Sequence, residues 1–229
     1  KVDRNPAAIV DQVVDRDWIV LTQRATYASE AGYVNEAERE AYKRAHNLRF
    51  LRDYQLRAVH SLQKAVAEGK NRFLFEMATG TGKTLVAAAV AKLFLRSGNC
   101  KRVLFLVDRL ELEDQANKAF IQFLGKDFTP AIYKEKRETW KHADIVVTTV
   151  QSLMVDNKYR SNFSPTDFDL VISDEAHRSI GGNARAVFEY FVGYKLGLTA
   201  TPKNYLKNFD KEIPTSRDPR EAEIRQLRD

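Results

Sequence analysis

The residues best equipped for chemistry form one unbroken stretch, Met77-Ala78-Thr79-Gly80-Thr81-Gly82-Lys83-Thr84. Gly80 and Gly82 let the backbone turn tightly and bring its N–H groups close to phosphate oxygens, where a side chain would block the approach. Lys83 adds the positive charge that reaches the β and γ phosphates of a nucleoside triphosphate. The Thr84 hydroxyl suits a Mg2+ coordination position, and a helix starting here turns its positive N-terminus toward the anion. The general pattern GxxxxGK[ST] asks for Gly where this chain has Met77, so the match rests on the GKT end and on its setting, an apolar run before it and an Ala/Val/Leu-rich stretch after it.

A second group, Asp174-Glu175-Ala176-His177, follows the short apolar run Leu170-Val171-Ile172. Two adjacent carboxylates at a strand end divide naturally into a metal ligand, Asp174, and a group that polarises the attacking water, Glu175. His177 lies where it could pass the state of the nucleotide to neighbouring residues through hydrogen bonds. The two groups are some ninety residues apart in the chain, so only a parallel sheet would bring them side by side.

The elements that must do this positioning are legible as short apolar runs separated by polar turns and amphipathic stretches. Strands are expected at Phe73–Phe75, Val103–Val107, around Ala131–Tyr133, at Ile145–Val150, Leu170–Ile172 and Leu196–Leu198. Helices are expected from Leu51 to near Gly69, from Lys83 to about Arg96, from Leu112 toward Gly125, over the charged Lys134–Lys141, and briefly from Gln151 to Val155. Asn157–Phe168 reads as a surface connection. The fold class is therefore α/β, a P-loop NTPase with a mostly parallel sheet covered by helices on both faces and active groups beyond the carboxyl ends of the strands. Three regions follow: an N-terminal helical extension over residues 1–50, an ATP-binding domain over 51–202, and a charged tail over 203–229. In the extension, Arg39, Lys43, Arg44 and Arg49 could face nucleic acid or form a solvated helix face.

With 229 residues, 44% of them hydrophobic, the chain can bury one substantial core. Its net charge of +6 favours an anionic partner without naming one. Cys100 is the single cysteine, which excludes an intrachain disulfide or a cysteine-rich metal site. No apolar run approaches transmembrane length, and a soluble cytoplasmic protein is expected.

Taken together these motifs resemble the first motor domain of superfamily 2 helicases and translocases of the DEAD/DEAH-box kind, across residues 51–202. The resemblance implies ATP and Mg2+ as ligands. It implies a nucleotide site of Gln55, Thr79, Gly80, Thr81, Gly82, Lys83 and Thr84, with Gln55 reading adenine as a carboxamide can. Asp174 and Thr84 become the metal ligands, and Lys83, Asp174, Glu175 and His177 the catalytic set. Thr199 and Thr201, within Leu198-Thr199-Ala200-Thr201-Pro202, would link hydrolysis to movement. Arg109, Thr149, Gln151 and Ser152 would touch the nucleic-acid backbone, in keeping with their places after two strands of the same sheet. Ordinary readings stay open for three of these: Thr149 and Ser152 as helix caps, and Arg109 as a salt-bridge partner of Glu111 or Glu113.

The forms Leu51-Arg52-Asp53-Tyr54-Gln55, Val107-Asp108-Arg109 and Asp174-Glu175-Ala176-His177-Arg178-Ser179 are similar to those of the restriction subunit of type I restriction-modification enzymes. That subunit is a double-stranded DNA translocase with a nuclease, and its partners are modification and specificity subunits. Neither its nuclease nor its second motor domain is recognisable in these residues, so a partial chain with weak hydrolysis of its own is expected. A nucleotide-gated binding module that never translocates would share the phosphate chemistry.

Overall fold

The computed structural model describes residues 4–134, 138–176 and 184–200. Six parallel strands, β1 (Arg72–Glu76), β2 (Val103–Val107), β3 (Pro130–Ile132), β4 (Ile145–Thr149), β5 (Leu170–Asp174) and β6 (Tyr194–Thr199), lie in the order β1-β6-β5-β2-β4-β3. Strands such as Val103-Leu104-Phe105-Leu106-Val107 are apolar at every position because both faces of the sheet are covered. Alternate side chains part accordingly. Val103, Phe105 and Val107 enter one core, Leu104 and Leu106 the other.

The helices in chain order are α1 (Pro6–Val10), α2 (Val20–Gln23), α3 (Ala31–Val34), α4 (Arg39–Ala45), α5 (Asp53–Ala67), α6 (Lys83–Arg96), α7 (Glu111–Leu124), α8 (Val150–Met154), α9 (Lys158–Ser161) and α10 (Ala184–Tyr190). Helices α5, α6 and α7 supply the first core, and residues of α8, α9 and α10 the second. In α6 every residue from Val86 to Phe94 is buried, so this helix is sheathed all round instead of showing one face to water.

Part of that sheath is the N-terminal segment. Ile9, Val14, Trp18 and Ile19 share the core of α5 and α6. The indole Nε1 of Trp18 donates to the Ala89 carbonyl of α6 at 3.1 Å. Gln63 of α5 donates to the carbonyls of Ile9 and Gln12, each at 2.9 Å. The start of the chain is thus built onto α5 and α6, while Val20, Tyr27 and Leu48 form a small cluster of their own. Within the expected helical extension the helices are short: α1 stops at Val10, Val13 is exposed, and residues 35–38 separate α3 from α4.

Two further expectations are corrected. Over Lys134–Lys141 the described residues hold only a 3-10 turn, Thr139–Lys141, with Lys134 and Glu138 at positive φ, because Trp140 turns inward to pack on Tyr133 and Phe163. Asn157–Phe168 is not a surface connection throughout, since Tyr159, Phe163 and Phe168 are buried in the second core. Helix α10 was not foreseen at all. Among the described residues no helix is long and apolar enough to cross a membrane, and Cys100 is buried and free.

Lys92 is the exception inside α6. It is 1% exposed, donates to the Trp18 carbonyl, and its ammonium sits 4.3 Å from the Trp18 ring centroid. Burial pushes its pKa down to about 8, with the nearby Arg96 acting the same way and Asp127 and Asp17 opposing. A lysine whose folded pKa lies below its unfolded one leaves the native state with fewer bound protons between about 8 and the ordinary lysine range near 10.4. Stability therefore rises with pH through that window, by roughly 1.4 kcal/mol per unit of pKa difference once fully realised. Burial also brings Lys195 down to about 8, so the informative quantity is a difference between proteins. Urea unfolding from pH 7.5 to 9.5 should show a smaller rise in Lys92→Met than in wild type. Identical slopes would mean that Lys92 titrates like a surface lysine.

Candidate nucleotide-binding site and nucleic-acid track

Strand β1 ends at Glu76, and Met77 N–H donates to the Thr199 carbonyl of β6 at 2.8 Å, which anchors the start of the turn on the neighbouring strand. The Thr81 hydroxyl closes the turn by donating to the Ala78 carbonyl at 2.6 Å. Gly80 and Gly82 both lie in the left-handed region, at φ +78° and +84°. At Gly82 the lack of a side chain has a second cause: a Cβ there would lie 2.6 Å from the Gln55 amide nitrogen. Around Gly80 a Cβ would meet nothing within 4 Å, so the face of the turn is open at that point.

Lys83 is the first residue of α6, and its ammonium is paired with the Glu175 carboxylate and lies 3.7 Å from Asp174. Its side chain is only 10% exposed. Glu175 sits at φ +51°, a conformation that L-residues adopt at a cost of about 1–2 kcal/mol, and its N–H donates to Asp174 Oδ1 at 3.0 Å. Burial raises the Asp174 pKa and the like charge of Glu175 adds to the effect, while Lys83 opposes both. The parallel register that sets Asp174 beside Leu198, and Glu76 beside Thr199, brings these groups to one edge of the sheet.

A cleft of about 700 Å³ opens beside the turn. Gln55, Gly80, Thr81, Gly82 and Thr84 line one side of it, and Lys43, Arg44, Arg49, Phe50 and Arg52 another. Sequence reading assigned no part of this site to the N-terminal extension. The cations Lys43, Arg44 and Arg49 just before Gln55 are the available signal, and by themselves they suit a nucleic-acid or a solvent face equally. Thr79 is exposed on the turn. Gln55 itself is buried: Oε1 accepts from Arg52 N–H at 2.9 Å, and Nε2 donates to the Thr81 carbonyl at 2.8 Å. A carboxamide offers two donors and two lone pairs, so one of each remains for a base edge.

The donors near the turn fit Mg2+. Thr84 and Asp174 offer hard oxygens that could hold this ion, which takes one or two protein oxygens plus substrate phosphates. Among the described residues no three His, Cys, Asp or Glu side chains form an all-protein metal cage.

Beyond β2 and β4, paired so that Val107 stands opposite Thr149, lies the second expected track. Arg109 is 67% exposed, and its salt-bridge partner is Asp108 at 3.4 Å, not Glu111 or Glu113. Glu113 instead accepts from Thr149 N–H at 2.8 Å and so ties α7 to the end of β4. Thr149 is buried and caps α8: its Oγ1 accepts from Ser152 N–H at 3.0 Å and donates to Ser152 Oγ at 2.9 Å. Arg109 and Gln151 are the exposed members of the group, with Ser152 half-buried. Thr199 is buried in β6, and its carbonyl holds Met77. His177, Thr201 and residues 203–229 lie outside the described residues.

The family described as "Type III restriction enzyme, res subunit" matches residues 49–204. The chain is similar to the type I restriction enzyme EcoAI endonuclease subunit of Escherichia coli, at 35% identity over 156 residues covering 66% of this chain and 19% of that one. It is also similar to a type I restriction enzyme endonuclease subunit of Staphylococcus aureus, at 30% identity over 207 residues covering 86% of this chain and 21% of that one. The chain thus spans about a fifth of the length of the curated relatives it matches. In fold it resembles the Sulfolobus solfataricus SWI2/SNF2 ATPase core, with a TM-score of 0.56 at 20% identity over 72% of this chain and 34% of that one. With a family model matching residues 49–204, the chain belongs to the type III restriction enzyme res subunit family and is a superfamily 2 helicase-like ATPase domain related to the type I endonuclease subunits.

Proposed function

We propose that this chain is the first motor domain of an ATP-driven double-stranded DNA translocase, in the restriction subunit of a type I restriction endonuclease that works with modification and specificity subunits. The observation that carries the reading is the meeting of Lys83, at the N-terminus of α6, with Asp174 and Glu175 at the end of β5, beside a cleft that Gln55 and the glycine turn line. Fold stability alone requires no such cluster. Its charges are those that a triphosphate and an attacking water need.

In this proposal the N–H groups of the turn and of the first turn of α6 hold the phosphates, and Gln55 reads adenine with its spare donor and acceptor. Lys83 leaves Glu175 for the β and γ phosphates, and that exchange frees the Glu175 carboxylate to orient water and take its proton. Thr84 and Asp174 would hold Mg2+, which neutralises charge developing on the phosphoryl group. His177 relays the state of the site, and Thr199 and Thr201 couple it to movement.

Lys83→Ala should lower ATP affinity on the order of 100-fold, through the loss of charge-assisted bonds to two phosphates. Because the variant also removes a cation that faces two half-buried acids, its fold should be checked by circular dichroism alongside calorimetry. Equal ATP affinity in wild type and variant removes the nucleotide assignment.

On the second track, Arg109 and Gln151 supply the direct contacts to DNA phosphates, and Thr149 and Ser152 hold α8 in place for them. Such contacts carry no base code, as motion over arbitrary sequence requires. With nucleotide held constant, Arg109→Ala in the intact protein should weaken binding equally for unrelated duplexes and lower the salt dependence by roughly one phosphate contact. An unchanged slope with unchanged affinity takes Arg109 off the DNA path.

A further inference from the structure

We propose that Tyr54, to which the reading above gives no role, is a positioning residue of the phosphate cradle: its hydroxyl fixes the orientation of the Thr81–Gly82 peptide so that the Gly82 N–H faces the anion. The inference rests on the nucleotide reading and deepens it. Tyr54 Oη donates to the Thr81 carbonyl at 2.7 Å, and Gln55 Nε2 donates to the same oxygen at 2.8 Å. Arg52 in turn donates to the Tyr54 hydroxyl at 3.4 Å, so a guanidinium polarises the O–H that holds the carbonyl.

The reason this carbonyl matters lies in where α6 begins. Its first helical bonds run from Leu85 and Val86 N–H to the Gly82 carbonyl, at 3.0 and 3.2 Å. One residue earlier, the Thr81 carbonyl takes the two side chains of α5 as its partners. The peptide is trans, so its C=O and its N–H point in opposite directions. Drawing the Thr81 oxygen toward α5 therefore turns the Gly82 N–H away from α5 and into the open side of the turn.

Glycine makes this hold necessary. A flip of the 81–82 peptide changes ψ of Thr81 and φ of Gly82 together, and glycine accepts either sign of φ with little penalty, as the difference between type I and type II turns illustrates. After a flip a carbonyl oxygen would face the phosphates where an N–H donor is wanted. The residue that lets the backbone approach the anion is thus also the one that would let it turn the wrong way. Two donors on one carbonyl oppose that.

The test uses inorganic tripolyphosphate with Mg2+, which has no base for Gln55 to read, so that affinity reports on the cradle alone. By calorimetry on the intact protein, Tyr54→Phe should weaken tripolyphosphate about five-fold, the worth of one net hydrogen bond, and ATP by the same factor. In a Gln55→Ala background the loss should exceed the product of the two single effects, because the carbonyl then has neither donor. A hydroxyl that served stability only would lower the ligand-free unfolding midpoint and leave these affinities unchanged. Wild-type affinity in Tyr54→Phe, in both backgrounds, overturns the proposal. Tripolyphosphate binding that is indifferent to Lys83→Ala instead overturns the nucleotide reading itself, and the proposal with it.

Discussion

The ion cluster of Lys83 with Glu175 and Asp174 is the constraint around which the rest of this structure is arranged. Two carboxylates at the end of a buried strand repel each other, and burial adds a penalty on Asp174, whose pKa it raises. The Lys83 ammonium, itself only 10% exposed, offsets that repulsion. Three charges in so small a volume are stable only if each is placed by something rigid. A helix start places Lys83, a strand end places Asp174, and a left-handed residue places Glu175. In the proposed function this ammonium would exchange acids for phosphates, so the cluster would be poised as well as stable.

Rigidity comes from the second layer. Helix α6 carries Lys83 and Thr84 at its first turn and is enclosed along most of its length. One side of the enclosure is the sheet and another is the N-terminal segment, through Trp18 on Ala89 and on Lys92. The same segment continues through α4 and residues 47–52 to form a wall of the cleft beside the glycine turn. What secures the helix and what borders the ligand site are one continuous stretch of chain. A change in the packing of Trp18 would consequently be felt at the phosphate turn.

Most of the fold was open to reading because its signals are local. Strand runs bounded by turn residues, the Ala-rich helix after the glycine turn and the acids after a short apolar run were recovered in order. Two of the errors share a cause. Lys134–Lys141 was read as helical from its charge, yet Trp140 is drawn into a distant aromatic cluster. Asn157–Phe168 read as surface because turn residues dominate it, while its aromatic side chains reach the second core. In both, tertiary burial of one or two aromatic residues outweighed local propensity.

By itself the sequence determined the chemistry on offer: a glycine turn with Lys83 and Thr84, a pair of acids, a carboxamide at Gln55, and enough short buried strands to require a parallel sheet. Those follow from residue type and from periods of two or 3.6, which are properties of neighbours in the chain. Only the tertiary structure decided which hydrogen bonds each group spends. It committed Gln55 in part to the Thr81 carbonyl, made Thr149 a buried helix cap, gave Arg109 its neighbour Asp108 as partner, and brought Lys43, Arg44 and Phe50 to the cleft. A polar side chain satisfies its donors and acceptors with whatever the fold carries within about 3 Å. That set depends on strand order and register, which no local pattern encodes.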